Sequence, residues 1–419
     1  MRTSDLIKLQ SLCCGCSACA NICPQKAITI TFGEGGALFP KINSEVCIDC
    51  KKCIKVCPLK NESKYYDNIN CYAAISNDRD LLRTSASGGV FSSIAKKVLE
   101  KEWYISGAIN EFTEGECDTH HILCNSFSQM PYLQGSKYVQ SDMKDIFSQI
   151  KAVLDKNEFV LFSGTPCQVD ALYHYLQGRS VEKLFTIDII CHGVPGNKLF
   201  NGYIKILEEY LNGTIRKIDF RNKELSGWGL KGIIEYYSRK GKKKRALLLP
   251  SFSSYYRLFL DSAIYRESCY NCKYARLNRV SDMTIGDYWG IEEEDPEVCK
   301  SWKASDGISC ILINTPKGQD LFMNYSDYLN FKESSLEKVI KHNGQLLSPS
   351  KRAFVTDRIN NIMVSDGYKA VENLCYNSKI KKMFVSLWYR LPFCFQVKLT
   401  NVKNSFRRKQ NVKKTSLTN

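Results

Sequence analysis

Three observations in the sequence predict an α+β protein with a small cysteine-built N-terminal domain, a mixed α/β body and a helical, basic C-terminal region. A four-cysteine pattern occurs twice before residue 60. Short apolar runs alternate with helical spacings from residue 70 to about 320. Beyond that the pattern is mainly helical, and residues 376 to 419 carry basic side chains and no acidic ones. At 419 residues the chain is long enough for two or three domains, and the composition shifts divide it into 1–62, 70–155, 156–320 and 321–419.

The N-terminal element is defined by spacing. The first cysteine set is Cys13, Cys16, Cys19 and Cys23, followed by Pro24, and the second is Cys47, Cys50, Cys53 and Cys57, followed by Pro58. Both read CxxCxxCxxxCP. Two intervening residues let successive thiolates converge on three corners of one iron-sulfur cube, and the proline then redirects the chain. In bacterial two-cluster ferredoxins the distant fourth cysteine ligates the other cube. That rule assigns Cys13, Cys16, Cys19 and Cys57 to one 4Fe-4S cluster, and Cys47, Cys50, Cys53 and Cys23 to a second. Zinc is the rival metal, but it closes with four ligands, usually as two separated CxxC pairs. A disulfide framework fits worse, because the cysteines are too close to pair sterically and the chain shows no signal peptide. A reducing cytoplasm is the expected setting. So small a core depends on ligation as much as on burial, and without clusters it is expected to be largely unfolded.

The balance of 59 Lys and Arg against 43 Asp and Glu gives a net charge of +16, but much of the surplus lies at the C-terminus and the body is only mildly basic. That distribution argues against nucleic-acid binding. No window reaches the 18 or so uncharged apolar residues that a transmembrane helix requires.

The polar stretch 61–70 reads as a linker, and a second domain begins at the strand-like run Cys71 to Ile75. Ser85, Ala86, Ser87, Gly88 and Gly89 precede a helix with Val90, Phe91, Ile94, Ala95, Val98 and Leu99 on one face. A helix opened by such a turn can hold a phosphate, although an ordinary serine cap explains it equally simply. Gly135, Ser136, Lys137 and Tyr138 form a second turn, whose lysine could meet a phosphate or merely cap a loop. The runs Phe159 to Phe162 and Leu184 to Ile190 flank a helical stretch, Gln168 to Leu176, and predict a βαβ unit with adjacent parallel strands. Cys167 and Cys191 then lie just beyond the carboxyl ends of those strands, where open α/β sheets bind ligands. With the CxxC pair Cys269 and Cys272 they make a four-thiolate set suited to a third 4Fe-4S cluster, or they are ordinary buried cysteines.

Residues 233 to 237 alternate as a strand and lead to a basic hairpin tip, Arg239 to Arg245. A short strand at Met283 to Ile285 ends in Gly286 and Asp287, an acid that could orient a cofactor or simply cap a turn. Candidate substrate-side groups are His192, Arg221, Lys223 and Trp228. His192 could donate a proton, or only hydrogen-bond cluster sulfur. Near the end, Met383 to Phe395 is apolar and aromatic and is flanked by Lys379, Lys381 and Lys382, with Arg407, Arg408, Lys409, Lys413 and Lys414 beyond. This composition suits peripheral contact of the basic tail with an anionic membrane, or a packed helix followed by a basic tail. Pro392 interrupts the helix and favours the second.

Six motifs in order, SASGGVF (Ser85 to Phe91), GSKYVQSD (Gly135 to Asp142), LFSGTPCQV (Leu161 to Val169), DIICHGVP (Asp188 to Pro195), SCYNCKYA (Ser268 to Ala275) and DMTIGDYWGI (Asp282 to Ile291), give the chain a family resemblance. Over about residues 10 to 320 it resembles the beta subunits of coenzyme F-420 hydrogenase and dehydrogenase, fused to an N-terminal two-cluster ferredoxin. The resemblance implies an α+β protein whose bacterial-ferredoxin-like domain precedes a mixed α/β flavin-binding domain. It implies FAD held by the SASGG and GSKY turns with Gly286 and Asp287, and a third cluster on Cys167, Cys191, Cys269 and Cys272. It also implies an oxidoreductase passing electrons between clusters and flavin to a small molecule or deazaflavin coenzyme, with an electron donor or acceptor as partner. The alternative is a non-catalytic electron-transfer subunit that delivers electrons to a partner protein, in surface-polysaccharide biosynthesis, the setting in which many bacterial members of the family are encoded.

Overall fold

The structure is a computed structural model and describes residues 11–401. Its N-terminal part is a pair of short helices around one hairpin: α1 (Ala18–Ile22), β1 (Ile28–Phe32), β2 (Leu38–Ile42) and α2 (Lys52–Lys55). The strands pair antiparallel, Ile28 opposite Ile42 and Phe32 opposite Leu38. Only Ile28 and Cys53 are buried in the apolar cluster of this part, packed by Ile22, Ile42 and Ile54.

The body is organised by one eight-stranded sheet. In chain order come β3 (Asn70–Ser76), helix α3 (Val90–Leu99), β4 (Tyr104–Thr113), β5 (Glu116–Cys124), helix α4 (Ile146–Asp155), β6 (Val160–Gly164), helix α5 (Pro166–Tyr175) and β7 (Leu184–Ile189). After them α6 (Asn197–Leu211) leads into a separate antiparallel sheet of β8 (Gly213–Asp219), β9 (Gly232–Ser238) and β10 (Lys243–Leu248). The chain returns through α7 (Glu267–Tyr270) to β11 (Met283–Asp287), β12 (Ser309–Ile313), α8 (Pro316–Tyr325) and β13 (Leu329–Ser334), and α9 (Lys379–Arg390) lies near the end.

The large sheet runs β13, β3, β12, β11, β7, β6, β4, β5. The central four, β11, β7, β6 and β4, are mutually parallel, and antiparallel strands close both edges. Parallel strands are covered on both faces, so their side chains alternate between two cores. Leu161 of β6 points to the core made with Ile94, Val98 and Phe322. Its neighbours Val160 and Phe162 point to the core of Phe147, Ile150, Val169 and Leu172, which also takes in Ala18 and Val56 of the N-terminal part. The β6–α5–β7 unit is the βαβ element that the apolar runs predict.

Residues 70–155 and 156–320 contribute strands to the same sheet. The region beyond 320 is mainly helical but not wholly so, because β13 forms an edge strand against β3. Leu329 is its one buried residue, so LNFKES has almost no apolar period to read, and pairing with β3 makes it a strand. Helix α9 turns Val385, Trp388 and Tyr389 inward; Trp388 stacks on Phe252 at 4.2 Å and donates its indole N–H to the Leu247 carbonyl. The helix ends at Arg390, just before Pro392. The basic tail Arg407 to Lys414 lies outside the described residues. Among the described residues, no helix is long and apolar enough to cross a membrane.

Candidate functional site

Two groups of cysteines meet where the N-terminal part packs on the body. Cys13, Cys16, Cys19 and Cys57 line one cavity together with Cys14, Pro40 and Pro58. Cys53 and Cys23 pack in the small apolar cluster next to Cys19 and Cys57, whereas Cys47 is half-buried and Cys50 exposed. Burial pushes the Cys13 thiol up to about 11, with Cys14 and Cys57 adding repulsion and Arg266 opposing it.

The second group comes from three places in the sequence. Cys167 sits in the first turn of α5, straight after β6, and its sulfur is 3.1 Å from the Thr165 hydroxyl. Cys191 follows β7, and Cys269 and Cys272 lie on and just after α7. The thiols interact with one another: Cys191 with Cys269 and Cys272, and Cys167 with Cys272. Burial first, then repulsion from Cys269 and Cys272, raises the Cys191 thiol pKa, and burial lifts Cys269 to about 11. Clustered buried thiols that repel as thiolates are a donor set that a cationic iron-sulfur core relieves, and on that chemistry both groups fit a cluster.

Local packing fixes this arrangement. The buried Asp170 carboxylate on α5 accepts from the Tyr274 hydroxyl at 2.6 Å and pairs with Lys273 at 3.6 Å, holding the turn after Cys272 against the helix that carries Cys167. Gly193 has φ 134, and a Cβ there would lie 2.5 Å from the Tyr265 ring, so glycine allows the Cys191 loop to cross that tyrosine. Arg266 joins the two groups. Its Nη2 donates to the Cys13 carbonyl at 2.6 Å and its guanidinium lies over Phe39 at 4.8 Å. Gln140 does the same from the other side, accepting from the Leu38 N–H at 3.0 Å and donating to the Cys14 and Gly15 carbonyls. Lys273 adds a bond to the Pro58 carbonyl at 2.7 Å. The N-terminal part is therefore clamped to the body at the cysteines themselves.

At the ends of β7 and β11 lies a group of charged and aromatic side chains. Arg221 is buried; Nη1 contacts Asp287 at 3.1 Å and the Tyr138 hydroxyl at 3.4 Å, and Nε donates to the Gly229 carbonyl. Burial is the largest single influence and weighs against its charge, but Asp287, Tyr138 and Tyr256 together outweigh it and the pKa is raised. The guanidinium lies over Trp228 and Trp289, 5.4 and 5.3 Å away, and the Trp228 N–H donates to Asp287 at 3.0 Å. Arg221 Nη2 is buried with no hydrogen-bond partner among the described residues. His192 stands at the exposed edge, its pKa lowered by loss of water around the ring while Asp287 pulls the other way. His192, Arg221, Trp228, Tyr138 and Asp287 thus share one place. Lys223 reaches past them to the carbonyls of Leu82 and Ser87, and burial lowers its pKa to about 8.

The two glycine turns are largely engaged by the protein. The Ser85 hydroxyl is 2.9 Å from that of Ser92, and Ser87 donates to the Ile308 carbonyl. The Gly88 N–H donates to the Ser309 hydroxyl, and a Cβ on Gly88 would lie 2.3 Å from the Ala74 carbonyl oxygen. Gly88 is thus required by close packing on β3 and β12, and Gly286 likewise lets β11 approach Ile190. Gly89, at φ 84, caps α3. Lys137 donates to the Tyr132 and Gln134 carbonyls at 2.9 and 2.7 Å, closing its own loop, and burial lowers its pKa to about 7. Gly135, at φ 79, faces open space, next to Ser136.

Residues 12–61 match the family model described as 4Fe-4S dicluster domain, and residues 157–338 match the model for the C terminus of the coenzyme F420 hydrogenase/dehydrogenase beta subunit. The chain thus joins a segment that matches a 4Fe-4S dicluster domain to one that matches the C terminus of that beta subunit. It is an iron-sulfur electron-transfer protein related to that beta subunit. Among solved structures it is similar to a chain of the F420-reducing NiFe hydrogenase complex from Methanosarcina barkeri, with 17% identity over 74% of this chain and 92% of that chain, at a TM-score of 0.43. No curated protein matches it. The beta-subunit domain contains Cys167, Cys191, Cys269 and Cys272, and the dicluster domain contains both CxxCxxCxxxCP sets.

Sequence reasoning missed Cys14, Gln140, Arg266 and Trp289. Cys14 carried a signal, a surplus cysteine directly beside a ligand position. Gln140 and Trp289 lie inside the GSKYVQSD and DMTIGDYWGI motifs but had no role there, and Arg266 carried no signal, because only the fold sets them beside the cysteines or Arg221.

Proposed function

We propose that the chain is an iron-sulfur flavoprotein oxidoreductase, with three 4Fe-4S clusters and FAD, that reduces or oxidises a small molecule or deazaflavin-type coenzyme. The observation that carries this reading is the gathering of Cys167, Cys191, Cys269 and Cys272 beside the cavity of Cys13, Cys16, Cys19 and Cys57, with Arg266 and Gln140 bonded across the join. The clusters supply one-electron carriers and FAD, when bound, supplies two-electron chemistry.

This chain's own residues have separate tasks. Arg221, kept charged by Asp287, offers its free Nη2 to an anionic or carbonyl oxygen, and Trp228 and Trp289 exclude water around it. His192, with a lowered pKa, is neutral near pH 7 and can give or take a proton at that edge. Lys223 ties the Ser87 turn to this group through two carbonyls.

The second reading is an electron-transfer subunit without its own small-molecule reaction. It is favoured by the engaged state of the Gly88 amide and Lys137, which leaves few free donors in the turns assigned to FAD. Anaerobic purification with iron, sulfide and flavin analysis separates the two. About twelve irons and one FAD per chain support the enzyme. The same iron without flavin supports the subunit, and a Cys272→Ala protein that keeps all its iron would sink the third cluster.

A further inference from the structure

We propose that α9 and the helical residues 393–401 that follow Pro392 dock the protein on an anionic lipid surface. The observation is a helix with two apolar faces. Val385, Trp388 and Tyr389 face inward and account for the packed reading of this segment. Ile380, Met383, Phe384 and Leu387 stand at i, i+3, i+4 and i+7, a single stripe on the other side of the helix, and each is 48–64 % exposed. Beyond Pro392, Phe395 and Leu399 lie one helical turn apart at 54 and 53 % exposed. Large apolar side chains gathered outside the core in this way mark an interaction surface.

The exposure does not come from a loosely held helix. On the inner side Trp388 stacks on Phe252 and donates to the Leu247 carbonyl. Gln396 is fully buried; its Oε1 accepts from the Leu247 N–H at 2.7 Å and its Nε2 donates to the Trp388 carbonyl at 2.7 Å. The segment after Pro392 is thereby tied to both α9 and β10, and Arg245 of β10 lies over the Phe393 ring at 4.7 Å. With the inner side held at these points, the outer side is presented in a fixed orientation.

Charge decides the occupant. Lys379, Lys381 and Arg390 flank the stripe and Lys398 stands beside Leu399, all of them exposed. Residues 376 to 419 hold eleven basic and no acidic side chains, and so supply eleven of the sixteen net positive charges of the chain. A second copy of the chain would set this basic face against itself, and residues 402–419 are as basic as the helix, so neither complements its charge. An anionic lipid surface complements both features. Its headgroups meet the cations, the lysine stems lie along the apolar boundary with their ammonium groups in the headgroup layer, and the acyl region takes Phe384 and Leu387.

The test is co-sedimentation of the full chain, purified anaerobically, with sucrose-loaded vesicles of phosphatidylcholine alone or of equal parts phosphatidylcholine and phosphatidylglycerol. Binding to the anionic vesicles is expected to be at least about tenfold tighter than to the neutral ones, and to weaken as salt rises. Phe384→Gln/Leu387→Gln is expected to lower anionic-vesicle binding about tenfold with iron content and far-ultraviolet circular dichroism unchanged, since both side chains lie outside the core. Lys379→Glu/Lys381→Glu is expected to lower it by at least as much. In Phe384→Trp the added indole is expected to be quenched by lipids brominated in their acyl chains. Equal binding to both kinds of vesicle would overturn the proposal, and so would no binding to either, which would leave the face to an acidic protein partner. Undiminished binding by Phe384→Gln/Leu387→Gln would also overturn it, because the basic tail alone would then hold the membrane.

Discussion

The N-terminal part and the sheet beside it are built on opposite principles. Among the described residues around β1 and β2, Ile28 and Cys53 form the buried centre of a small cluster packed largely by cysteine, and Leu38, Phe39 and Val56 are the other large apolar side chains buried there. Around β6 the same length of chain places Val160, Leu161 and Phe162 fully inside two cores, one on each face. Burial of a few apolar side chains at about 1.5–3 kcal/mol each cannot offset the ordering of some fifty residues, whereas the sheet buries dozens. The first region must draw its stability from cluster ligation and from its clamps to the body; the second needs neither.

The largest expected effect tests that contrast directly. Anaerobic removal of iron with a chelator should expose the amides of Ile28 to Ile42 to hydrogen exchange while those of β6 and β7 stay protected. Simultaneous loss of protection in both regions would show that the two fold as one unit.

A smaller change sharpens the body's side of the comparison. Arg279 and Asp188 form a buried ion pair at 3.1 Å beneath the cysteine turns. Arg279→Met leaves the carboxylate buried without its partner and should cost about 3–5 kcal/mol in denaturant unfolding of the body. A loss below about 1 kcal/mol would mean that Asp188, whose Oδ1 has no hydrogen-bond partner among the described residues and whose pKa burial raises, takes up a proton instead.

The smallest expected effect concerns pH. Burial lowers the His121 pKa to about 4, against 6.5 ordinarily, while its Nε2 lies 3.2 Å from the Ser163 carbonyl oxygen. Between those values the unfolded chain binds the extra proton, so stability is full above about pH 6.5 and falls as pH drops toward 4. The loss is at most about 3 kcal/mol. Urea midpoints of wild type and His121→Gln at pH 7 and 5 should differ in slope, the variant being flatter; equal slopes would assign the acid sensitivity to other groups.

Much of the sheet was legible because its signals are local. The alternation of apolar runs with helical spacings marked β6, α5 and β7, and the short run before Gly286 and Asp287 marked β11. Strand β13 was not legible, since an edge strand with one buried side chain leaves no period. The site divides in the same way. His192, Arg221 and Trp228 were named as substrate-side candidates and Tyr138 and Asp287 as cofactor contacts, and the fold brings the five side chains together. For Ser85, Gly88 and Lys137 composition left a cap or a ligand turn equally open, and their hydrogen bonds run to the protein.

The sequence by itself determined the metal chemistry of the N-terminal part, because CxxCxxCxxxCP places thiolates through bonds only a few residues apart. The tertiary structure alone decided what those clusters face. Cys14 and the Gln140 amide that bonds its carbonyl are 126 residues apart in the chain, and Arg266 lies far from both Cys13 and Phe39. Contacts at such separations depend on which strand neighbours which, and here β6, β7 and α7 deliver their cysteines to the wall where the N-terminal part is clamped.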